Sequence, residues 1–179
     1  MSPPPLSPPW PSRYRGRVTS TLLRPGTRDD HDDCVRLWLA ALEARDGRAP
    51  VPGTDDRARA KLAAPAVCFV VAERGGPIDG FVLVSTPGSG FADDPPGAAY
   101  LSLLAVHPSA QGRGLARRLL AAAERDAAAV ADEAVLHVLV GNRAARSLYR
   151  AAGWREEGAE FPHPLSAAPV ITLRRLLGD

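Results

Sequence analysis

The chain has 179 residues, 45% hydrophobic and 23% charged, the proportions of one globular domain rather than of a fibrous chain or one disordered throughout. Its 22 basic and 20 acidic residues interleave to a formal charge of +2, so no basic face suited to a nucleic acid is expected. The longest apolar run, Leu62 to Ala72, is broken by Pro65 and is too short to cross a bilayer, so no membrane partner is expected either.

Six of the 18 prolines fall between Met1 and Pro11, where almost nothing could be buried, so residues 1–17 read as a disordered, Pro-rich tail. Val18 to Arg24 reads as a short strand stopped by Pro25-Gly26. Asp29 to Arg45 follows as a helix, with Val35, Trp38, Leu39 and Leu42 at helical spacing behind an acidic first turn. Asp55 to Ala63 is a second helix, ended by Pro65. Strands Val67 to Glu73 and Phe81 to Thr86 flank the turn residues Arg74 to Gly80, and a Gly/Pro/Asp-rich loop, Pro87 to Gly97, leads to the apolar strand Ala99 to Val106. A helix from Leu115 to about Val130, a strand from Val135 to Val140, and a helix from about Arg143 to Ala152 come next. Strands Trp154 to Glu160 and Pro169 to Leu176 close an α+β pattern without internal repeats. The two cysteines, Cys34 and Cys68, are too few for a disulfide framework, and the N-terminus lacks a signal-peptide pattern, so a cytoplasmic protein with reduced thiols is expected.

The segment with most chemical content joins the strand ending at Val106 to the helix starting at Leu115. Gly112 and Gly114 let the backbone approach a ligand closely, and the free amides of a helix's first turn favour an anion. Arg113, Arg117 and Arg118 add positive charge that suits a diphosphate. An ordinary glycine-rich turn opening an amphipathic helix is the plainer reading. A Walker A loop is excluded because the only lysine, Lys61, lies elsewhere. A dinucleotide fingerprint fits poorly, because Arg117 stands where a third small residue belongs.

Gln111-Gly112-Arg113-Gly114-Leu115-Ala116 resembles the signature loop of the GNAT superfamily of acyl-CoA-dependent N-acyltransferases. The stretch from Asn142 through Leu148-Tyr149 to Gly153-Trp154 is similar to the family's second motif, and the element order from Val18 to Leu176 agrees. The resemblance implies an N-acetyltransferase domain over residues 18–179, built on a mixed, mostly antiparallel, twisted sheet of about six or seven strands with about four helices. The central strands 100–106 and 135–140 should splay apart to admit acetyl-CoA, the acyl donor, with no metal. Backbone groups of Leu104, Ala105 and Val106 would pair with pantetheine amides. The loop Gln111, Gly112, Arg113, Gly114, Leu115, Ala116 and Arg117 would hold the pyrophosphate. Asn142 would touch the pantetheine arm, a role compatible with capping the next helix.

By the same resemblance Tyr149 is the general acid for the departing thiolate, although it would also serve as a core aromatic. Many relatives carry a Glu on the splayed strands where this chain has Tyr100 and His137, which leaves no carboxylate at those places. His137, polar in an apolar strand, is the candidate base. A water relay, to Glu73 or to no residue, is the other route. The acceptor, a small-molecule or peptide amine, should meet Trp38, the loop with Asp93 and Asp94, and Phe161-Pro162-His163-Pro164. The expected activity is acetyl transfer from acetyl-CoA to an amine by direct attack in a ternary complex, since neither cysteine falls in the motifs. A non-catalytic CoA-binding sensor or interaction module is the competing class, and a homodimer is compatible with either.

Overall fold

A computed structural model describes residues 21–178, so the tail expected over residues 1–17 and the start of the first strand lie outside the described residues. Seven strands form one sheet in the order β1-β2-β3-β4-β5-β7-β6. They are β1 (Leu22–Pro25), β2 (Ala66–Glu73), β3 (Ile78–Ser85), β4 (Ala99–Val106), β5 (Glu133–Leu139), β6 (Arg155–Pro162) and β7 (Pro169–Leu176). Four α-helices accompany them among the described residues: α1 (His31–Asp46), α2 (Thr54–Ala63), α3 (Leu115–Ala127) and α4 (Arg143–Ala151). This is the expected mixed, mostly antiparallel α+β sheet.

Strand alternation divides the core between two faces. On one face Val82, Val84, Ala99, Leu101, Leu136 and Val138 pack against Leu115, Leu119, Leu120 and Ala123 of α3 and Tyr149 of α4. On the other, Phe81, Leu83, Leu103 and Ala105 pack against Val35 and Leu37 of α1 and Ala58 and Leu62 of α2. Each helix thus buries one apolar stripe on the sheet, which is the main source of its stability.

Two irregularities of β4 shape the centre of the sheet. Leu83 opposes Leu103 while Val84 opposes Leu101, so Ser102 is an extra residue that reverses the alternation along the strand. Leu101 therefore faces α3 while Leu103 faces α1 and α2. Beyond that strand's start the sheet opens, because β4 and β5 run parallel and are in register only at Ala99↔Ala134 and Tyr100↔Val135. The expected splay is present. It is held open on the far side of β5 by β7, which pairs with all of β5 from Glu133↔Leu176 to Leu139↔Val170.

Several boundaries differ from the expected ones, two of them by three residues. β3 begins at Ile78 rather than Phe81, because Ile78 is buried and pairs with Glu73, which shortens the hairpin turn. α3 ends at Ala127 rather than near Val130, which is exposed and has no core to cover.

Candidate active site

The gap between β4 and β5 is a cavity of about 1040 Å³ that runs through the sheet. Its walls come from both faces: Ala116, Leu148 and Tyr149 from the side of α3 and α4, and Trp38, Arg57, Lys61 and His137 from the side of α1 and α2. A cavity of this size exceeds what one drug-sized ligand fills. Its lining from both faces of the sheet leaves room for two reactants.

At one end lies the glycine loop. Gly112 and Gly114 have φ of 75° and 74°, left-handed values that side chains rarely adopt, and a Cβ on either would meet nothing within 4 Å. Open space thus lies over both glycines. Gly114 caps α3 without a side-chain bond, and the first turn carries no acid. Among the described residues, the amides of residues 112–117 donate to no backbone carbonyl. They are the orphan donors of a helix N-terminus, an arrangement that suits an anion. Gln111, Gly112, Gly114, Leu115, Ala116 and Arg117 line the cavity, whereas Arg113 does not and Arg118 turns away to the carbonyl of Thr21 at 2.9 Å. The expected cluster of three arginines is therefore reduced to Arg117 at the cavity itself. Gln111 Nε2 donates to the Val106 carbonyl at 3.1 Å, tying the loop to the strand end.

Leu104, Ala105 and Val106 line the same cavity from β4. Their partners across the ladder, Val82, Phe81 and Gly80, are all on β3, and β5 no longer pairs with them. The edge turned to the gap is a strand edge awaiting a partner. Asn142 caps α4, its Oδ1 accepting from Ala145 N at 3.2 Å, and its side of the cavity continues through Ala145 to Tyr149. Tyr149 is only 7% exposed, packs on Trp154 with ring centroids 5.9 Å apart, and lies at the cavity wall. Burial pushes its phenol well above the ordinary value, so it keeps its proton across the physiological range.

His137 lies on the opposite face of the sheet. Its Nε2 is 3.0 Å from Asp94 Oδ1, and the two side chains are 6% and 8% exposed. Phe91 stacks on the imidazole at 4.2 Å and Phe161 meets it edge-on at 5.5 Å. Tyr100 Oη is 3.4 Å from Nδ1, long for a hydrogen bond, so that nitrogen is only loosely engaged. Burial lowers the imidazole pKa below its ordinary value, and Asp94 opposes the shift without reversing it. The ring is accordingly neutral at pH 7. With Nε2–H donated to the carboxylate, Nδ1 carries the lone pair.

Sequence reading placed Asp94 near the acceptor and did not assign it as the partner of His137. Asp94 is not solvated on its loop, where it also accepts from the Phe91 amide at 2.5 Å. Asp93 is exposed and away from the cavity, and Glu73 is bound to Arg24 at 3.0 Å outside the cavity. Glu73 is therefore removed from any proton route here. Lys61 and Arg57, also unassigned from sequence, line the cavity beside Tyr100. The one available signal was that Lys61 is the sole lysine in an arginine-rich chain.

Comparison with known proteins agrees with this geometry. The profile of the acetyltransferase (GNAT) family matches residues 32–154. The chain is 34% identical over 156 residues to the N-alpha-acetyltransferase RimI of Mycobacterium tuberculosis, covering 86% of this chain and 90% of that one. It is 32% identical over 140 residues to the mycothiol acetyltransferase of Clavibacter michiganensis, covering 76% of this chain and 43% of that one. In three dimensions it is similar to yncA from Salmonella typhimurium, solved with its cofactor acetyl-CoA, at a TM-score of 0.67 and 18% identity over 90% of this chain and 96% of that one. A splayed sheet, a glycine loop opening α3 and a profile match over most of the described residues have one reading: the chain is an acyltransferase that belongs to the GNAT family.

Proposed function

We propose that the protein transfers an acetyl group from acetyl-CoA to an amine by direct attack within a ternary complex. The observation that carries this reading is one continuous cavity joining a helix N-terminus with unpaired amides to a buried His–Asp pair. In this reading the pyrophosphate of the donor lies on the amides of residues 112–117, with Gln111 and Arg117 beside it. The pantetheine arm adds to the free edge of β4 at Leu104, Ala105 and Val106, and Asn142 faces the arm from the start of α4.

The acceptor enters from the side of α1 and α2. Its nitrogen attacks the thioester carbonyl, forming the N–C bond, and the C–S bond then breaks. The ammonium formed on attack loses its proton to His137 Nδ1. Asp94 holds the opposite nitrogen as N–H and stabilises the imidazolium as it forms. Tyr149 Oη, which keeps its proton at neutral pH, donates that proton to the departing thiolate as charge develops on sulfur. Proton transfer from His137 to solvent and from solvent to Tyr149 restores both groups. The net products are the N-acetyl amine and free CoA thiol.

Direct attack is favoured by the cysteines. Cys34 and Cys68 are free, buried and absent from the cavity wall, and burial pushes both thiols up to about 12, so neither is a poised nucleophile. The competing sensor reading draws its force from a missing carboxylate, and Asp94 supplies one. The test is a screen of amines, peptides and aminoglycosides with acetyl-CoA, following release of free thiol. Acceptor-dependent release is expected. Tight CoA binding with no release for any acceptor class would favour the sensor.

A further inference from the structure

The acceptor end of the cavity carries a charge pattern that its catalytic groups do not use. Arg45, Arg48, Arg57 and Lys61 line that end of the cavity, and the one acid in the whole lining is Asp46. Asp46 is already bound by Arg45 at 2.6 Å. Asp94 is committed to His137. Lys61 and Arg57 therefore have no carboxylate partner among the described residues.

Lys61 is also positioned with some precision. Its Nζ donates to the carbonyl of Ser102 at 3.0 Å, the bulged residue whose Oγ bonds Ser85 at 3.1 Å, and it sits 5.2 Å over the Tyr100 ring. The bulge fixes the ammonium beside Tyr100, which in turn approaches His137. Two of its three N–H groups remain for a ligand. Burial, with the nearby Arg57 second, lowers the Lys61 pKa to about 8, and burial followed by both cations lowers that of His163. The site is not the pyrophosphate site: Ser102 and Val106 are four residues apart on β4, about 13 Å, and the glycine loop begins beyond Val106.

We infer that Lys61 and Arg57 form an acceptor subsite for an acidic group, so that the amine substrate is one that also carries a carboxylate or phosphate. The inference rests on the transferase reading above and adds its substrate class. The electrostatics act on both ends of such a molecule. A simple ammonium ion is repelled by Lys61 and Arg57, whereas an amine that brings its own anion is drawn in. The same cations favour loss of the ammonium proton, which frees the lone pair for attack.

The test exploits Lys61 as the only lysine in the chain: lysine-specific isotope labelling gives one side-chain resonance. Acetate and inorganic phosphate, titrated separately, are expected to shift that resonance saturably and to raise its apparent pKa, and Arg57→Gln is expected to weaken the binding about tenfold. The stronger probe names the acidic group. Shifts no larger than chloride produces at equal ionic strength, with either anion, would overturn the subsite.

A kinetic arm reads the same subsite through turnover. Amino acids and their carboxamides, or amino-alcohol phosphates and the free amino alcohols, are compared with acetyl-CoA. The anionic member is expected to have a kcat/KM about 10- to 100-fold higher, as for a hydrogen bond to a charged group. Lys61→Gln, which retains a donor for Ser102, should bring the ratio near one while calorimetric CoA affinity is unchanged. Equal rates for paired acceptors in the parent would also overturn the subsite. Loss of CoA binding or of all turnover with the anion-dependent Lys61 shift intact would instead strike the transferase reading alone.

Discussion

The Nε2 atom of His137 and the Oδ1 atom of Asp94 are 3.0 Å apart, which joins the middle of β5 to the loop before β4 across 43 residues of sequence. Asp94 raises the imidazole pKa against the larger, opposing effect of burial. Protonated His137 cannot accept a proton, so kcat/KM should rise with pH through an apparent pKa below the ordinary histidine value and then level off. Asp94→Asn removes the opposing charge and should move that limb to lower pH while reducing the plateau rate. His137→Gln should abolish the limb and reduce turnover by about 10² to 10⁴. pH profiles of the three folded proteins check this. An identical limb in all three would assign proton removal to water or to the ionisation of the amine itself.

Tyr149 is buried, yet it lines the cavity, so packing and chemistry make separable demands on it. Tyr149→Phe keeps the ring against Trp154 and removes only the hydroxyl. Melting temperature and CoA affinity should persist, and kcat should fall by about 10² to 10⁴. An unchanged kcat with a competent acceptor would leave the residue a packing role alone.

The two thiols provide a check on the core. Cys34 is 0% and Cys68 4% exposed, and the folded state holds both protons up to about pH 12 against an ordinary value of 9.0. The unfolded chain gives up those protons first, so stability should decline as pH rises above about 9. At pH 8 a disulfide reagent should label the folded protein at least about 10²-fold more slowly than the urea-unfolded chain. Fast labelling under native conditions would contradict the packing of β2 and α1.

The glycine loop, its strand and its helix were legible in the sequence because a helix start, two glycines and a preceding apolar run are all local signals. Tyr149 and Asn142 were legible through the second motif. The His137–Asp94 pair was not, because its two halves belong to a strand and a loop without periodicity, and they meet through a long-range contact in which Phe91 stacks on His137 and its amide donates to Asp94. Lys61 was hidden for a related reason. Its role depends on the bulge at Ser102, and an extra residue in a strand leaves no mark on an apolar run such as Tyr100 to Val106. The placement of β7 between β5 and β6 was equally silent, since strand order follows from long-range pairing rather than from any segment's own pattern.

The central claim is that acetyl-CoA binds with its pyrophosphate on the start of α3, and calorimetric titration of the parent and of Gly114→Asp tests it most directly. The substitution puts a carboxylate where Gly114 has φ of 74° and open space, beside amides that have no backbone partner among the described residues. The account predicts saturable binding of acetyl-CoA to the parent and loss of at least about 10² in affinity for the variant, with circular dichroism showing both folded. Equal dissociation constants for the two proteins would contradict it.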